Sequence, residues 1–137
     1  MEQKMREILF RGKYINTGEW IMGDLIRESF GICVQSVTKS GNGCTRIKYL
    51  IEPETVGQYT GIHDKNGVKI FEGDIVKIIE LKDAPHWMDD ENIVVEYDEG
   101  YAGFKPYCEY DSDCGEFLQA NNTIIIGNIY DNPELLE

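Results

Sequence analysis

Asn66-Gly67, set between the β-forming runs Tyr59–Asp64 and Val68–Phe71, constrains this chain more than any other pair of residues. Asn-Gly is the dipeptide most able to adopt the positive φ angles of a tight type I′ turn, so the two runs are expected to form a β-hairpin. Glu72-Gly73-Asp74 then turns the chain again, into Ile75–Leu81. That run is apolar on both faces and is expected at the centre of a sheet. Pro53 closes whatever strand precedes it, because proline cannot donate to a ladder.

The same punctuation runs through the rest of the sequence. Fourteen glycines interrupt it, and no stretch carries a convincing helical period. Arg6–Ile15 is rich in β-formers; Asn16-Thr17-Gly18 and then Trp20–Ile26 complete a first hairpin. Ile32–Thr38 reads as a strand closed by Ser40-Gly41-Asn42-Gly43. In Thr45–Ile51 the alternation puts Ile47, Tyr49 and Ile51 on one face and Arg46 and Lys48 on the other, as a half-buried strand requires. Ile93–Tyr97 alternates in the same way, grouping Ile93, Val95 and Tyr97. Lys82–Asn92 reads as an exposed loop, Tyr101–Glu116 as an irregular aromatic and acidic segment, and Thr123–Tyr130 as the last strand. Asn132-Pro133-Glu134 combines an N-cap, a first-turn proline and a first-turn acid, which predicts a short C-terminal helix.

These readings give one mainly-β domain over residues 1–137. Its N-terminal hairpins occupy 1–52; residues 53–137 hold the central hairpin, a partly open sheet of the SH3-like-barrel type, and the acidic loop.

The stretch from Pro53 to Val76 resembles the signature of the YopX family, small proteins encoded in bacteriophages and in prophages of Gram-positive bacteria. The resemblance extends to both ends. Arg6-Glu7-Ile8, Phe10-Arg11-Gly12-Lys13, Thr17-Gly18-Glu19-Trp20 and Gly23-Asp24-Leu25-Ile26 look like the family's opening block. Ile126-Gly127-Asn128-Ile129-Tyr130 with Asn132-Pro133-Glu134-Leu135-Leu136 is similar to its usual ending, and Lys82–Ala120 is the least typical part. The resemblance implies a β-rich fold and a phage or prophage origin, and it brings no activity and no catalytic residues with it.

Charge narrows the partners. The chain carries a net charge of −12, unevenly spread: residues 1–70 hold ten basic and eight acidic residues, whereas residues 71–137 hold three basic and seventeen acidic. A half with a balance of −14 repels phosphate, so direct nucleic-acid binding is not expected through it. No apolar run approaches the roughly 18 residues of a membrane span, so no membrane contact is expected. Residues 1–10 lack the apolar core and cleavage site of a signal peptide, which points to the cytoplasm of a bacterial host.

The chemistry-bearing residues form no recognisable catalytic set. Cys33, Cys44, Cys108 and Cys114 lack the short Cys-x-x-Cys spacing of a zinc site and are read as reduced thiols. Reading Asp64-Lys65-Asn66-Gly67 as a calcium loop puts Ile62 and Gly73 at essential ligand positions, where neither can serve. The same test on Asp111-Ser112-Asp113 sets Cys114 at the glycine position and Ala120 at the glutamate. An irregular divalent site there would make the chain a metal-dependent hydrolase, the least favoured alternative. His63 and His86 stand apart from any nucleophile. Asp89-Asp90 and Asp98-Glu99 are adjacent and would face opposite ways on a strand. Gly41-Asn42-Gly43 is too short for a phosphate loop. No enzyme activity and no cofactor are expected. Asp74 is read as an acceptor for nearby backbone donors.

What remains is a segment in which Tyr97, Tyr101, Phe104, Tyr107 and Tyr110 interleave with Asp98, Glu99, Glu109, Asp111 and Asp113. Such aromatics either plug the core beneath a loop or anchor a partner interface, where tyrosine is enriched. Tyr97, Asp98, Glu99, Tyr101, Phe104, Tyr107 and Tyr110 are therefore the candidate partner-binding residues, for a host or phage protein. The leading function is a non-catalytic binding or assembly module. The alternative is an acidic mimic of nucleic acid that inhibits a host DNA-binding protein. Unpaired strand edges also allow a homo-oligomer.

Overall fold

Among the described residues, turns cut the chain into ten strands, which form two antiparallel sheets. The computed structural model describes residues 5–79, 92–100, 102–107 and 123–137, with the side chains of 105–107 excepted. The chain divides into two compact units, Met1–Tyr59 and Thr60–Glu137, and the division falls inside β5 (Gly57–His63).

In the first unit the strand order is β4-β3-β2-β1-β5, with β1 at Phe10–Lys13, β2 at Trp20–Glu28, β3 at Gly31–Ser40 and β4 at Gly43–Leu50. Two glycines let its strands approach closely. A Cβ on Gly12 would collide with the Ile51 side chain, which is buried, and a Cβ on Gly23 would strike the Gln35 carbonyl of β3. Thr55 locks the segment after Pro53 onto β1. Its hydroxyl accepts the Lys13 amide at 2.9 Å and donates to the Glu52 carbonyl at 2.6 Å. Cys33 and Val34 of β3 are buried, yet β2 pairs with β3 only as far as Asp24 opposite Gln35. Beyond that point β3 pairs with β4 alone, and residues 37–48 are all exposed. Ile47, expected on a buried face, is 45% exposed, because alternation secures burial only where something covers one face.

The second unit is built around β7 (Asp74–Ile78), which lies inside a four-stranded sheet of order β10-β7-β8-β9. Its partners are β8 at Ile93–Asp98, β9 at Gly103–Tyr107 and β10 at Thr123–Asn128. Ile70, Val76, Ile78, Ile93 and Val95 form the core, with Ile62, Phe104 and Ile125 packed against it. The central position expected for the run beginning at Ile75 is observed over Asp74–Ile78.

Asp64 organises this unit. The residue is 2% exposed. One carboxylate oxygen accepts the amides of Asn66 and Val68, both at 2.9 Å, and the other accepts the Ile125 amide of β10 at 3.1 Å. Lys65 adds a backbone bond to the Thr123 carbonyl at 2.9 Å. The turn between β5 and β6 (Lys69–Phe71) is thereby fastened to β10. It is not the expected type I′ turn. Gly67 has a φ of +83°, but Asn66 does not have a positive φ. The Asp64 carbonyl accepts the Gly67 amide at 3.0 Å, and the Asp64 amide donates to the Val68 carbonyl at 2.7 Å. That pattern is a type I turn followed by a left-handed glycine, and the Asp64 side chain favours it by bonding the turn amides directly.

Gly73 makes the next turn, with φ at +88°, its amide on the Val95 carbonyl and its own carbonyl taking the Ile129 amide. Asp74, also buried, accepts the Phe71 amide at 2.8 Å, the backbone role expected of it.

Three further expectations change. The sheet does not close into an SH3-like barrel among the described residues: β9 and β10 stand at opposite ends of the strand order. Pro106, which has no amide to give, lies in edge strand β9. Part of the segment read as irregular, Gly103–Tyr107, is a strand, because β8 supplies a full ladder that propensity alone does not show. The C-terminal helix is a single 3-10 turn over Pro133–Leu136. Asn132 does not cap it; its side-chain oxygen accepts the Asn128 amide at 3.2 Å instead.

Replacing Asp64 by Ala strands three amides and should destabilise the second unit by about 3 kcal/mol or more, read from a denaturant-unfolding midpoint. Gly23→Ala should cost about 1–3 kcal/mol in the first unit, since a strand backbone must move to admit one methyl group. Unchanged midpoints would contradict each assignment.

Candidate functional site

β8 begins as a core strand and ends as a projecting one. Only Ile93 and Val94 pair with β7, whereas β8 stays paired with β9 out to Asp98 opposite Gly103. Burial falls accordingly: Ile93 and Val95 are fully buried, while Glu96 and Tyr97 are exposed. Alternation puts Tyr97 on the same face as Ile93 and Val95, at the point where the core runs out.

Phe104 lies directly across from Tyr97 on β9 and packs against the core. The two rings meet edge-on, with centroids 5.5 Å apart and planes at 72°. Such a pair contributes about 0.5–1.5 kcal/mol beyond area burial. It orders Tyr97 while leaving 49% of the residue's surface exposed. The two rings differ in place: Phe104 packs against the core and Tyr97 stands above it, half exposed.

The same hairpin carries carboxylates. Glu96 and Asp98 share the other face of β8, and Glu99 follows at the exposed turn. The far side of that turn is Ala102, whose φ of +52° is the only positive value at a non-glycine among the described residues. An alanine held there costs about 1–2 kcal/mol, so the hairpin tip has a defined shape rather than a relaxed one.

Of the candidate residues, Tyr97, Asp98, Glu99 and Phe104 come together on this one hairpin. Tyr107 lies on β9 opposite Val94. Tyr101 and Tyr110 lie outside the described residues, as do Glu109, Asp111, Asp113, Cys108, Cys114, His86 and Asp89-Asp90. Glu96 was missed, although the alternation that grouped Ile93, Val95 and Tyr97 also set Glu96 beside Asp98. His63 directs Nδ1 to the Asp64 carbonyl at 3.1 Å, a local contact within its own turn. Among the described residues no three His, Cys, Asp or Glu side chains are grouped to hold a metal, and no helix is long and apolar enough to cross a membrane.

Comparison with known proteins identifies the lineage. The family model described as YopX protein matches residues 9–137. The chain belongs to the YopX family. Among solved structures, it is similar to the crystal structure of protein EF1440 from Enterococcus faecalis. The two are 25% identical, the match covers 97% of this chain and 100% of that one, and the TM-score is 0.59. No curated protein matches the chain.

Within this YopX-family chain, several residues that carry the resemblance are engaged in backbone geometry. Gly12 admits Ile51, Gly73 takes a positive φ, and Asp64 and Asp74 accept amides. Asn128 accepts the amides of Tyr130 and Asp131 at 3.0 and 2.9 Å, while Gly127 leaves room for Asn132.

Phe104→Ala should lower stability by about 2–3 kcal/mol through the opened core, whereas Tyr97→Ser should lower it by about 1 kcal/mol. Equal losses in a thermal or denaturant titration would contradict this division of roles.

Proposed function

We propose that this YopX-family protein is a non-catalytic protein-binding or assembly module that works through the β8–β9 hairpin. The observation that carries the reading is Tyr97: an aromatic ring held in place by Phe104 and half exposed, on a hairpin that bears Glu96 and Asp98 on its other face and Glu99 at its turn. Interface anchors have this character. A tyrosine offers large contact area with few rotatable bonds, and a ring already fixed from below loses little entropy on binding. The carboxylates of the same hairpin favour a partner that carries basic groups beside an apolar pocket.

The mimic of nucleic acid is the second reading, favoured by the same three carboxylates and by the −14 balance of residues 71–137. The two readings differ in what holds the complex. An aromatic anchor survives salt, whereas charge pairing at a surface is screened as the Debye length falls from about 8 Å to about 3 Å at 1 M.

Capture from bacterial lysate with the tagged protein, washed at low and at high salt, tests both. The anchor reading expects a specific partner that stays at high salt and is lost with Tyr97→Ser while the variant remains folded. Equal capture by Tyr97→Ser would remove it. A basic DNA-binding partner released by salt and indifferent to Tyr97 would establish the mimic instead.

A further inference from the structure

The outer half of the β3–β4 hairpin runs beyond the end of its pairing with β2. From residue 37 to residue 48 every position is exposed, on both faces of a two-stranded ribbon. A ribbon of that kind is marginal in water unless something else covers it. It nevertheless displays apolar side chains, with Val37 and Ile47 each 45% exposed.

Its charge is opposite to that of the chain. Residues 29–51 contain Lys39, Arg46 and Lys48 and no acidic residue, in a protein of net charge −12. The register sets Arg46 directly across from Val37, with Lys39 two residues along on the same face. Lys48 shares that face but is turned toward its own sheet, with Nζ bonded to Glu28 at 2.7 Å. The docking groups are thus Val37, Lys39 and Arg46.

We propose that this hairpin arm of one copy docks on the acidic β8–β9 hairpin of a second copy, so that the chain associates head to tail. The proposal rests on the reading of β8–β9 as a docking surface and names its occupant. Charge complementarity selects that occupant. Glu96, Asp98 and Glu99 offer carboxylates to Lys39 and Arg46, and the half that bears them has a balance of −14. Nucleic acid is disfavoured, because phosphates approaching the arm meet the field of a −12 chain. Pairing of β4 edges between copies would set Arg46 and Lys48 against the same residues, a like-charge contact. A contact between two different patches closes as a reciprocal two-fold dimer, each arm on the other copy's patch, or continues as a ring or open chain. Two −12 bodies repel at long range, so the association belongs at moderate salt. There, screening within about 8 Å removes the long-range repulsion and leaves the contact charges.

Sedimentation equilibrium on the full chain tests this, with K39E/R46E as the arm variant and E96Q/E99K as the patch variant. Gln at 96 avoids a lysine opposite Lys105, its neighbour across the ladder. Circular dichroism confirms that each variant is folded. At about 0.15 M salt the wild type should self-associate, and at about 0.5 M the dissociation constant should rise roughly tenfold. Each variant alone should be weakened by about tenfold, and an equimolar mixture should regain association, since the intact arm of one meets the intact patch of the other. A wild type that stays monomeric, or a mixture that fails to recover, overturns the proposal. Association lost in the patch variant but kept in the arm variant overturns the arm alone and leaves β8–β9 as a docking surface.

Discussion

The fold of the second unit depends on one buried carboxylate. Asp64 accepts amides from its own turn and from Ile125 of β10, joining residues 61 positions apart in the chain. A carboxylate taken out of water is costly unless its lone pairs are filled, and here three backbone donors fill them with charge-assisted bonds. Among the described residues, Ile70, Val76, Ile78, Ile93 and Val95 cluster on β6, β7 and β8, with Phe71 and Ile75 also buried. Asp74 does the same as Asp64 at the following turn by accepting the Phe71 amide. Polar staples at the turns add to the register that burial of one face imposes.

With turns fastened in this way, strands can run past the sheet that supports them. Both units use this freedom. β3 and β4 continue beyond the end of β2, and β8 and β9 continue beyond β7. Each extension carries an exposed apolar group on a charged hairpin: Val37 with Lys39 and Arg46, and Tyr97 on a hairpin that bears Glu96, Asp98 and Glu99 and, opposite Glu96 in the ladder, Lys105. The edges themselves are guarded, β9 by Pro106 and β4 by Arg46 and Lys48, which limits indiscriminate strand pairing.

Local pattern revealed the strands far better than their surroundings. Thr45–Ile51 was legible as a strand from its alternation, but alternation is blind to whether a covering layer exists, and Ile47 proved exposed. Asn66-Gly67 was legible as a turn, while its type was set by Asp64, whose side chain reaches two turn amides and a distant strand. Gly103–Tyr107 was hidden because a glycine and a proline lower its β propensity, and only the ladder to β8 makes it a strand. Asn132 read as a helix cap and turned out to bond Asn128, a contact that spacing alone does not reveal. At the candidate site, the interleaving of aromatics and acids was visible. The division of labour between Phe104 and Tyr97 was not, since it depends on where β7 stops covering β8.

Residue-resolved amide hydrogen exchange on the wild-type chain tests the central claim most directly. The account predicts that the amides of Asn66, Val68 and Ile125 exchange only with global opening of their unit, as the core strands do. It predicts that amides in residues 38–45 exchange through a much cheaper local opening of the uncovered arm. Turn amides exchanging as freely as the arm would contradict the role of Asp64. An arm protected as strongly as the core in a monomeric sample would contradict the reading of the hairpin as a surface waiting for a partner.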